Sequence, residues 1–181
     1  MTRFQHPITM TSVTFHIRPY RASDFEMLWS IDQICFDPEL AYSRPELAFY
    51  MRRSGSFTLV AEAAGAENGN GEGRILGFIV AELGRKGRHG RQAGHIITID
   101  VVPEARRGGI GSALLEAAER RLMDSGASSV ALETAVNNES ALRFYKQKGY
   151  FVETTAPRYY SNQLDAFVMK KELLRPVASG E

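Results

Sequence analysis

A glycine-rich stretch with two arginines, residues 106–111, contains the residue types that most directly suggest chemistry. It reads Arg-Arg-Gly-Gly-Ile-Gly and lies between an apolar, β-branched run at 96–102 and a segment rich in helix-forming residues. Glycines leave the backbone open to a ligand, and the first N–H groups of a helix have no acceptor within that helix. With the helix dipole and the arginine side chains, these donors predict a binding site for an anion such as phosphate.

Known phosphate-binding loops differ in what surrounds their glycines. A Walker P-loop requires Lys and then Ser or Thr after its last glycine, whereas Gly111 is followed by Ser112 and Ala113. A dinucleotide-binding loop requires a third glycine where this chain has Leu114, although Glu133 lies at a suitable distance for a ribose-binding acid. A helix start with glycines for tight packing and solvated arginines is a further alternative.

Length and composition restrict the class of protein. The 181 residues, 44% of them hydrophobic, suffice for one buried core, so we expect a single domain over 13–174 with a flexible leader at 1–12 and a flexible tail at 175–181. The net charge of +1 predicts neither a nucleic acid nor a membrane as partner. The single cysteine, Cys35, has no disulfide partner within the chain, and we see no signal peptide or membrane-spanning run, which predicts a cytoplasmic protein.

Apolar periodicity and turn residues predict the elements that position these groups. One helix should start in the glycine loop and stop at Gly126, and another should be capped by Asn137 or Asn138. The remaining predicted elements are strands at 13–18, 57–63, 75–83, 96–102, 130–135, 150–154 and 164–173, and helices from a Ser23 cap to near Cys35 and from Pro45 to about 53. We expect a flexible connection at 64–73 and a solvated basic hairpin tip at 85–91, for which docking to RNA or an acidic partner is the alternative.

The predicted order of elements is βααβββαβαββ. The polar, glycine-rich connection at 64–73 favours an antiparallel hairpin, and the helix after 96–102 makes that strand and 130–135 parallel neighbours. The fold class is therefore α/β (α+β), a central mixed sheet of about seven strands with helices on both faces.

Both this order and the glycine loop resemble the GNAT N-acetyltransferases. In that family an R/Q-x-x-G-x-G/A loop holds the pyrophosphate of acetyl-coenzyme A, and Arg106, Gly109 and Gly111 fill its fixed places. The stretches 132–150 and 158–173 resemble the RimI type, the ribosomal-protein-alanine N-acetyltransferases, and their archaeal relatives. The resemblance implies acetyl-coenzyme A as co-substrate, no metal, and acetyl transfer to the α-amino group of a protein or peptide N-terminus by direct attack in a ternary complex.

The resemblance also assigns roles to individual residues. Glu133 matches the general base, and Tyr145 matches the general acid that protonates the leaving thiolate. Without the family, a lone strand glutamate is more often solvated or ion-paired, and helical periodicity favours a core aromatic residue for the tyrosine. The coenzyme-binding residues implied are Val101, Val102, Arg106, Arg107, Gly108, Gly109, Ile110, Gly111, Ser112, Asn138, Ala141 and Tyr145, with N–H groups near Val101 and Val102 holding the thioester oxygen and Asn138 contacting the pantetheine arm.

The acceptor site is expected between two loops. Tyr159 and Tyr160 resemble the tyrosine pair that flanks the peptide in N-terminal acetyltransferases, while the turn at 36–43, with Phe36 and Tyr42, should form the other wall. Relatives commonly continue with Gly-Glu-Asp-Ala where this chain has Gln-Leu-Asp-Ala at 163–166, which leaves the peptide preference open. A ribosomal protein is one candidate acceptor, a small amine or a lysine is the alternative, and a catalytically silent coenzyme-binding module is a third. We expect a monomer or weak dimer.

Overall fold

Seven strands form one mixed sheet in the computed structural model of the chain, which describes residues 14–68, 72–84, 92–161 and 163–173. The strands are β1 (Phe15–Pro19), β2 (Ser56–Asn68), β3 (Glu72–Leu83), β4 (Gln92–Val101), β5 (Ala127–Ala135), β6 (Phe151–Ala156) and β7 (Ala166–Glu172). The α-helices are α1 (Phe25–Cys35), α2 (Arg44–Arg52), α3 (Ile110–Asp124) and α4 (Glu139–Gln147). This confirms the predicted order of elements and the mixed α/β class. None of the described helices is both long and apolar enough to cross a membrane.

The sheet has the strand order β1-β2-β3-β4-β5-β7-β6, and only β4 and β5 pair in parallel. Their ladder is short, because it joins 92–95 to 127–131 and then stops, although both strands continue. A bulge contributes to this divergence: Thr98 pairs with Val80 and Ile96 with Ala81, so Ile97 has no partner on β3. The two strands therefore part toward their carboxyl ends and leave an opening between them.

Helix α3 covers the middle of the sheet and carries much of the core. Gly94 on β4 allows the close approach, because a Cβ there would lie 2.5 Å from a methyl carbon of Leu122. The largest fully buried side chains are Phe78, Leu28, Ile31, Leu47, Ile79, Ile110, Leu114, Leu115, Leu122, Leu132, Met169 and Val60. Because Ile110 is part of this core, the start of α3 is fixed in position and only its backbone faces outward.

Element boundaries differ from the sequence prediction in two places. Ser23 does not cap α1; residues 22–24 form a short 3₁₀ helix, and the Asp24 carboxylate accepts the Arg21 N–H at 2.7 Å. β2 and β3 also extend through most of the stretch predicted as a flexible connection, to Asn68 and from Glu72. The predicted leader and tail and the basic tip at 85–91 lie outside the described residues.

A buried arginine joins β1, β2 and the 3₁₀ helix. Arg18, only 8% exposed, donates to Asp24 at 2.8 and 3.0 Å and to Glu62 at 2.7 and 3.2 Å. Burial alone would raise the pKa of Asp24, but the hydrogen bonds from Arg18 and from the Arg21 N–H, with the charges of both arginines, together outweigh this effect and lower it. The same guanidinium lowers the pKa of Glu62. Two buried carboxylates thus depend on one cation for their charge balance.

Replacing Arg18 with Met should destabilise the fold strongly. Two buried carboxylates lose their counter-charge, a situation that typically costs about 3–5 kcal/mol. Urea unfolding at pH 7 measures the free energy of unfolding. Arg143→Met is the matched control, because its pair with Glu139 at 3.3 Å is exposed and such pairs contribute less than about 1 kcal/mol. Equal losses in both variants would contradict the assigned role.

Candidate active site

The glycine loop leads into α3 through a left-handed residue. Gly109 has φ of 82°, which favours glycine, and occupies the N-cap position of the helix. A Cβ added there would meet no atom within 4 Å, so the space in front of this backbone is open. Gly111 packs differently, since its Cβ would lie 3.6 Å from the Phe144 ring. The loop thus presents bare backbone on one side and is supported by α4 on the other.

The first turn of α3 carries unused hydrogen-bond donors. The first bond into the helix runs from Ala113 N to Gly109 O at 3.0 Å, and in the described part of the chain the N–H groups of 109–112 have no acceptor. No side chain caps the helix and its first turn holds no acidic residue, while Arg106 and Arg107 are exposed beside it. These donors, the helix dipole and the arginines fit an anionic group such as a diphosphate.

The end of β4 offers one further free donor. The Val102 N–H donates to Leu76 O at 3.0 Å, so it is not available for the thioester oxygen, and this part of the sequence prediction is wrong. Because antiparallel ladders alternate, the Val101 N–H then points away from β3 toward the opening beside β5. The Val101 carbonyl accepts the Arg106 Nε at 3.0 Å, which draws that side chain back onto the strand end.

Glu133 lies on β5 beside this opening. Its Oε2 is 2.6 Å from Nε2 of His95, and its side chain is 20% exposed. Burial would raise the pKa of Glu133, but the hydrogen bond and charge of His95 outweigh it and lower the pKa, with a smaller contribution from Tyr159. The carboxylate is therefore ionised at neutral pH and able to accept a proton. Sequence reasoning did not identify His95.

Tyr145 on α4 is a buried aromatic residue with a free hydroxyl. Its ring packs against Phe144 and Tyr150 with centroid distances of 5.2 and 5.6 Å, and its hydroxyl makes no hydrogen bond to any described residue. Burial, followed by the charge of Asp100, raises the pKa of Tyr145. The phenol therefore stays protonated and can act only as a donor. Tyr145 therefore packs in the core through its ring, while its O–H group remains available to a ligand.

Asn138 is the N-cap of α4, because its Oδ1 accepts the Ala141 N–H at 3.1 Å. Its side-chain NH₂ group makes no hydrogen bond within the residues described. Helix capping and a contact to a ligand are therefore compatible, since they use opposite ends of the amide. Ala141 lies half-buried in the first turn of the same helix and leaves room beside it.

Tyrosines lie on the turn at 36–43, on α2 and on the loop after β6. Tyr159 and Tyr160 pack edge to face at 5.1 Å, and Tyr42 packs on Tyr50 of α2 at 5.2 Å. The Ser161 hydroxyl donates to the Glu39 carbonyl at 2.9 Å and joins the two loops. The structure thus brings the predicted walls together and adds Tyr50, which sequence reasoning missed.

A cleft of about 510 Å³ lies beside this aromatic group. Its described lining residues are Trp29, Gln33, Pro38, Glu39, Ala41, Tyr42, Ser43, Arg44, Glu46 and Ser161. Tyr42 is among them, whereas Phe36, Tyr159 and Tyr160 are not; the two later tyrosines lie beside the cleft, next to Ser161 in its lining.

The loop after β6 is held by local hydrogen bonds. Asp165 Oδ1 accepts the Arg158 N–H at 2.7 Å, and the Gln163 N–H donates to Tyr160 O at 2.9 Å. Gln163 has φ of 64°, a left-handed conformation, at the place where the related enzymes commonly have glycine. The chain therefore keeps the glycine-type turn with a side chain present.

A buried carboxyl group, that of Asp32 on α1, supports the turn at 36–43 from below. Asp32 is fully buried; its Oδ2 accepts the Tyr42 N–H at 2.8 Å and Gln33 Nε2 at 3.0 Å, while its Oδ1 has no partner. Burial raises the pKa of Asp32 to about 6. Burial and the charge of Asp32 raise the pKa of Asp100, on β4, well above its usual value. Sequence reasoning missed both groups.

The described residues contain no cluster of three or more His, Cys, Asp or Glu side chains that could hold a metal ion.

Comparison with known proteins identifies similar sequences. The pattern described as "Acetyltransferase (GNAT) family" matches residues 25–150. An N-acetyltransferase of Methanocaldococcus jannaschii is 34% identical to this chain, over 60% of this chain and 65% of its own length. The N-alpha-acetyltransferase MAK3 of Arabidopsis thaliana is 33% identical, over 58% of this chain and 54% of its own length. The chain thus matches less than two thirds of the length of these two relatives. An N-alpha-acetyltransferase of Sulfurisphaera tokodaii is 25% identical over 88% of this chain and 93% of its own.

Solved structures share the fold. Ard1 from Thermoplasma volcanium superimposes with a TM-score of 0.76 at 27% identity, covering 90% of this chain and 100% of its own. The ribosomal-protein-S18-alanine N-acetyltransferase from Escherichia coli superimposes with a TM-score of 0.72 at 19% identity, covering 93% and 99%. At 19% identity, the second structure supports a shared fold only.

Replacing Asp32 with Asn should stabilise the fold at pH 7.5 but not at pH 4.5. The folded-state pKa of about 6 exceeds the unfolded value, so this carboxyl disfavours folding increasingly as pH rises from about 4 through 6, by on the order of 3 kcal/mol in full. Asn keeps an oxygen for the Tyr42 N–H and carries no charge. Thermal unfolding at both pH values measures the effect. Asp37→Asn, at an exposed position, is the control, and an unchanged pH dependence in Asp32→Asn would contradict the assignment.

Proposed function

We propose that this chain, which belongs to the acetyltransferase (GNAT) family, is an N-terminal acetyltransferase. It would transfer the acetyl group of acetyl-coenzyme A to the α-amino group of a protein or peptide N-terminus. The observation that carries this proposal is the parting of β4 and β5 after His95 and Ala131. The helix with free N–H groups follows β4, and Glu133 lies on β5, so a donor site and a base border one opening.

The residues present fit the coenzyme. Acetyl-coenzyme A supplies the acetyl group as a thioester, which an amine can attack directly. The N–H groups of 109–112 would hold its diphosphate, with Arg106, Arg107 and Gly108 on the rim of the same loop. The Val101 N–H would contact the thioester oxygen, and the Asn138 NH₂ group, with Ala141 beside it, would contact the pantetheine arm.

An α-amino group suits the base that this chain offers. With a pKa near 8, such a group is roughly 10% neutral at pH 7, whereas a lysine with a pKa near 10.4 is neutral to only about 0.04%. Glu133 is ionised and half-buried, which makes it a modest base. It therefore suffices for an N-terminal amine and is poorly matched to lysine.

Tyr145 would complete the transfer as general acid. As the amine attacks in a ternary complex, the departing thiolate requires a proton, and the buried phenol holds one that no described residue engages. Glu133 removes the proton from the amine and Tyr145 gives one to the sulfur, so the two residues have opposite and separate tasks.

The acceptor would enter between the two tyrosine-bearing loops. Tyr42, Tyr159 and Tyr160 supply flat apolar walls with polar ends, which suit the backbone and first side chain of an extended peptide. The relatives from Arabidopsis thaliana and Sulfurisphaera tokodaii are described as N-alpha-acetyltransferases, which supports this acceptor. The likeness to the RimI type makes a ribosomal protein one candidate. The lone Cys35 supports a cytoplasmic location.

A peptide panel tests the proposed acceptor. We expect acetyl-coenzyme A and peptides differing in their first residues to give products acetylated at the α-amine, because that amine alone is appreciably neutral near pH 7. Mass spectrometry locates the added group. Peptides with a blocked N-terminus and a free lysine are the control. Modification only at lysines or polyamines would reject the proposal, and coenzyme binding without any acetylation would indicate a silent binding module.

Replacing Tyr145 with Phe should lower turnover while leaving coenzyme affinity within about twofold. The ring and its packing on Phe144 and Tyr150 remain, and only the proton donor is lost, for which a kcat decrease of about 10²-fold or more is expected. Steady-state kinetics and calorimetric titration of coenzyme A separate the two quantities. Tyr20→Phe, at a half-buried tyrosine directly after the edge strand β1, is the control. Parallel losses in turnover and affinity would indicate that the hydroxyl serves packing instead.

A further inference from the structure

His95 is placed between two carboxylates that belong to neighbouring strands. Its Nε2 lies 2.6 Å from Glu133 on β5, and its Nδ1 lies 3.9 Å from Glu82 on β3. Glu82 is its direct cross-strand partner and also contacts Arg53 Nε at 3.3 Å. A chain of contacts therefore runs from Arg53, at the end of α2, through Glu82 and His95 to Glu133.

The proton taken from the amine needs a destination. Because the pKa of Glu133 is lowered, a proton on this carboxyl is held weakly and must move on before the next turnover. An imidazole with an ordinary pKa of about 6.5 lies closer to that of an α-ammonium group, near 8, than a carboxyl does. His95 is the group in hydrogen-bond contact with Glu133, and a third of its side chain is exposed. It connects the carboxylate to solvent.

We propose that His95 acts through Glu133 as a positioning residue and as the store of the proton taken from the incoming amine, with Glu82 holding the imidazolium. This rests on the proposed function. In the transfer two N–H bonds of the substrate ammonium break. One proton passes through Glu133 and forms an N–H bond on His95, while the other replaces the proton that Tyr145 gives to the departing sulfur, so Glu133 and Tyr145 both end in their starting forms. The imidazolium then releases one proton to solvent. No oxidant, reductant or further reactant is required.

The groups that face this pathway come from every element packed around it. β3 contributes Glu82 and the end of α2 contributes Arg53, which partly neutralises Glu82. β5 contributes Glu133, and the loop after β6 contributes Tyr159 and Tyr160, whose pKa values are raised by burial and by the charge of Glu133. Both tyrosines are therefore uncharged, and the charged groups in contact with His95 are the carboxylates of Glu133 and Glu82.

Titration of the histidine ring provides a test that needs no substrate. Nuclear magnetic resonance of the Cε1–H group in ¹³C-histidine-labelled protein follows each of the four histidines, and His95→Gln assigns the signal. In Glu133→Gln, the titration curve of the His95 signal should differ from that of the wild type, and in Glu82→Gln it should differ by less, because Glu133 lies 2.6 Å and Glu82 3.9 Å from the ring. An unchanged curve in Glu133→Gln would overturn the proposal.

Kinetics of two substitutions separate proton storage from simple positioning. Gln at position 95 can still donate its amide N–H to Glu133 but cannot take up a proton, whereas Leu can do neither. We expect His95→Gln to lower kcat by about tenfold or more with KM for both substrates within about twofold, and to change the shape of the pH–rate profile. We expect His95→Leu to lower kcat further. A His95→Gln enzyme with the wild-type kcat at every pH would overturn the proposal.

His16→Gln is the matched control. His16 also pairs with a glutamate, Glu62, at 3.2 Å, but it lies on β1 at the far edge of the sheet. Its replacement should leave kcat and the pH–rate profile unchanged.

Failure of the proposed function can be distinguished from failure of this inference. If the wild type acetylates no α-amine, the acceptor assignment fails, while the histidine titration still reports on the His95 pair. If peptides are acetylated and His95→Gln behaves as the wild type, only the role of His95 fails.

Discussion

The short parallel ladder between β4 and β5 is the constraint on which the remaining structure depends. Hydrogen bonds join the strands over 92–95 and 127–131. Beyond that point β4 still pairs with β3 and β5 still pairs with β7, but β4 and β5 no longer pair with each other. Unpaired backbone groups inside a protein are costly unless they meet solvent or a ligand. The fold therefore creates a polar opening in the middle of an otherwise apolar sheet, and both the Val101 N–H and Glu133 face it.

The groups around this opening are fixed by the core rather than by the opening itself. Ile110 anchors the first turn of α3, Phe144 packs beside Gly111, and Tyr145 is buried up to its hydroxyl. Backbone donors and a phenol held in this way lose little entropy when a ligand binds, because the folding energy of the core has already ordered them. On the acceptor side, Asp32 fixes the turn at 36–43 in a similar way, because its carboxylate accepts the Tyr42 N–H.

Charge is balanced differently in two parts of the molecule. At β1 and β2, Arg18 keeps Asp24 and Glu62 ionised by direct hydrogen bonds. Beneath the acceptor cleft no cation contacts Asp32 or Asp100 among the described residues, and burial favours their protonated forms instead. The Arg18 cluster stabilises the fold near neutral pH, whereas the buried carboxyl groups of Asp32 and Asp100 destabilise it. This destabilisation is located next to the cleft.

The sequence by itself determined the order of elements and the character of the glycine loop, because apolar periodicity, caps and φ-permissive residues act over a few neighbouring positions. Only the tertiary structure decided what depends on strand register and burial. His95 meets Glu133 across 38 residues because β4 and β5 align His95 with Ala131. The Val102 N–H is engaged by Leu76 through the register of β3, and the raised pKa of Asp32 follows from its burial. Such contacts join segments far apart in the chain, so no local pattern specifies them.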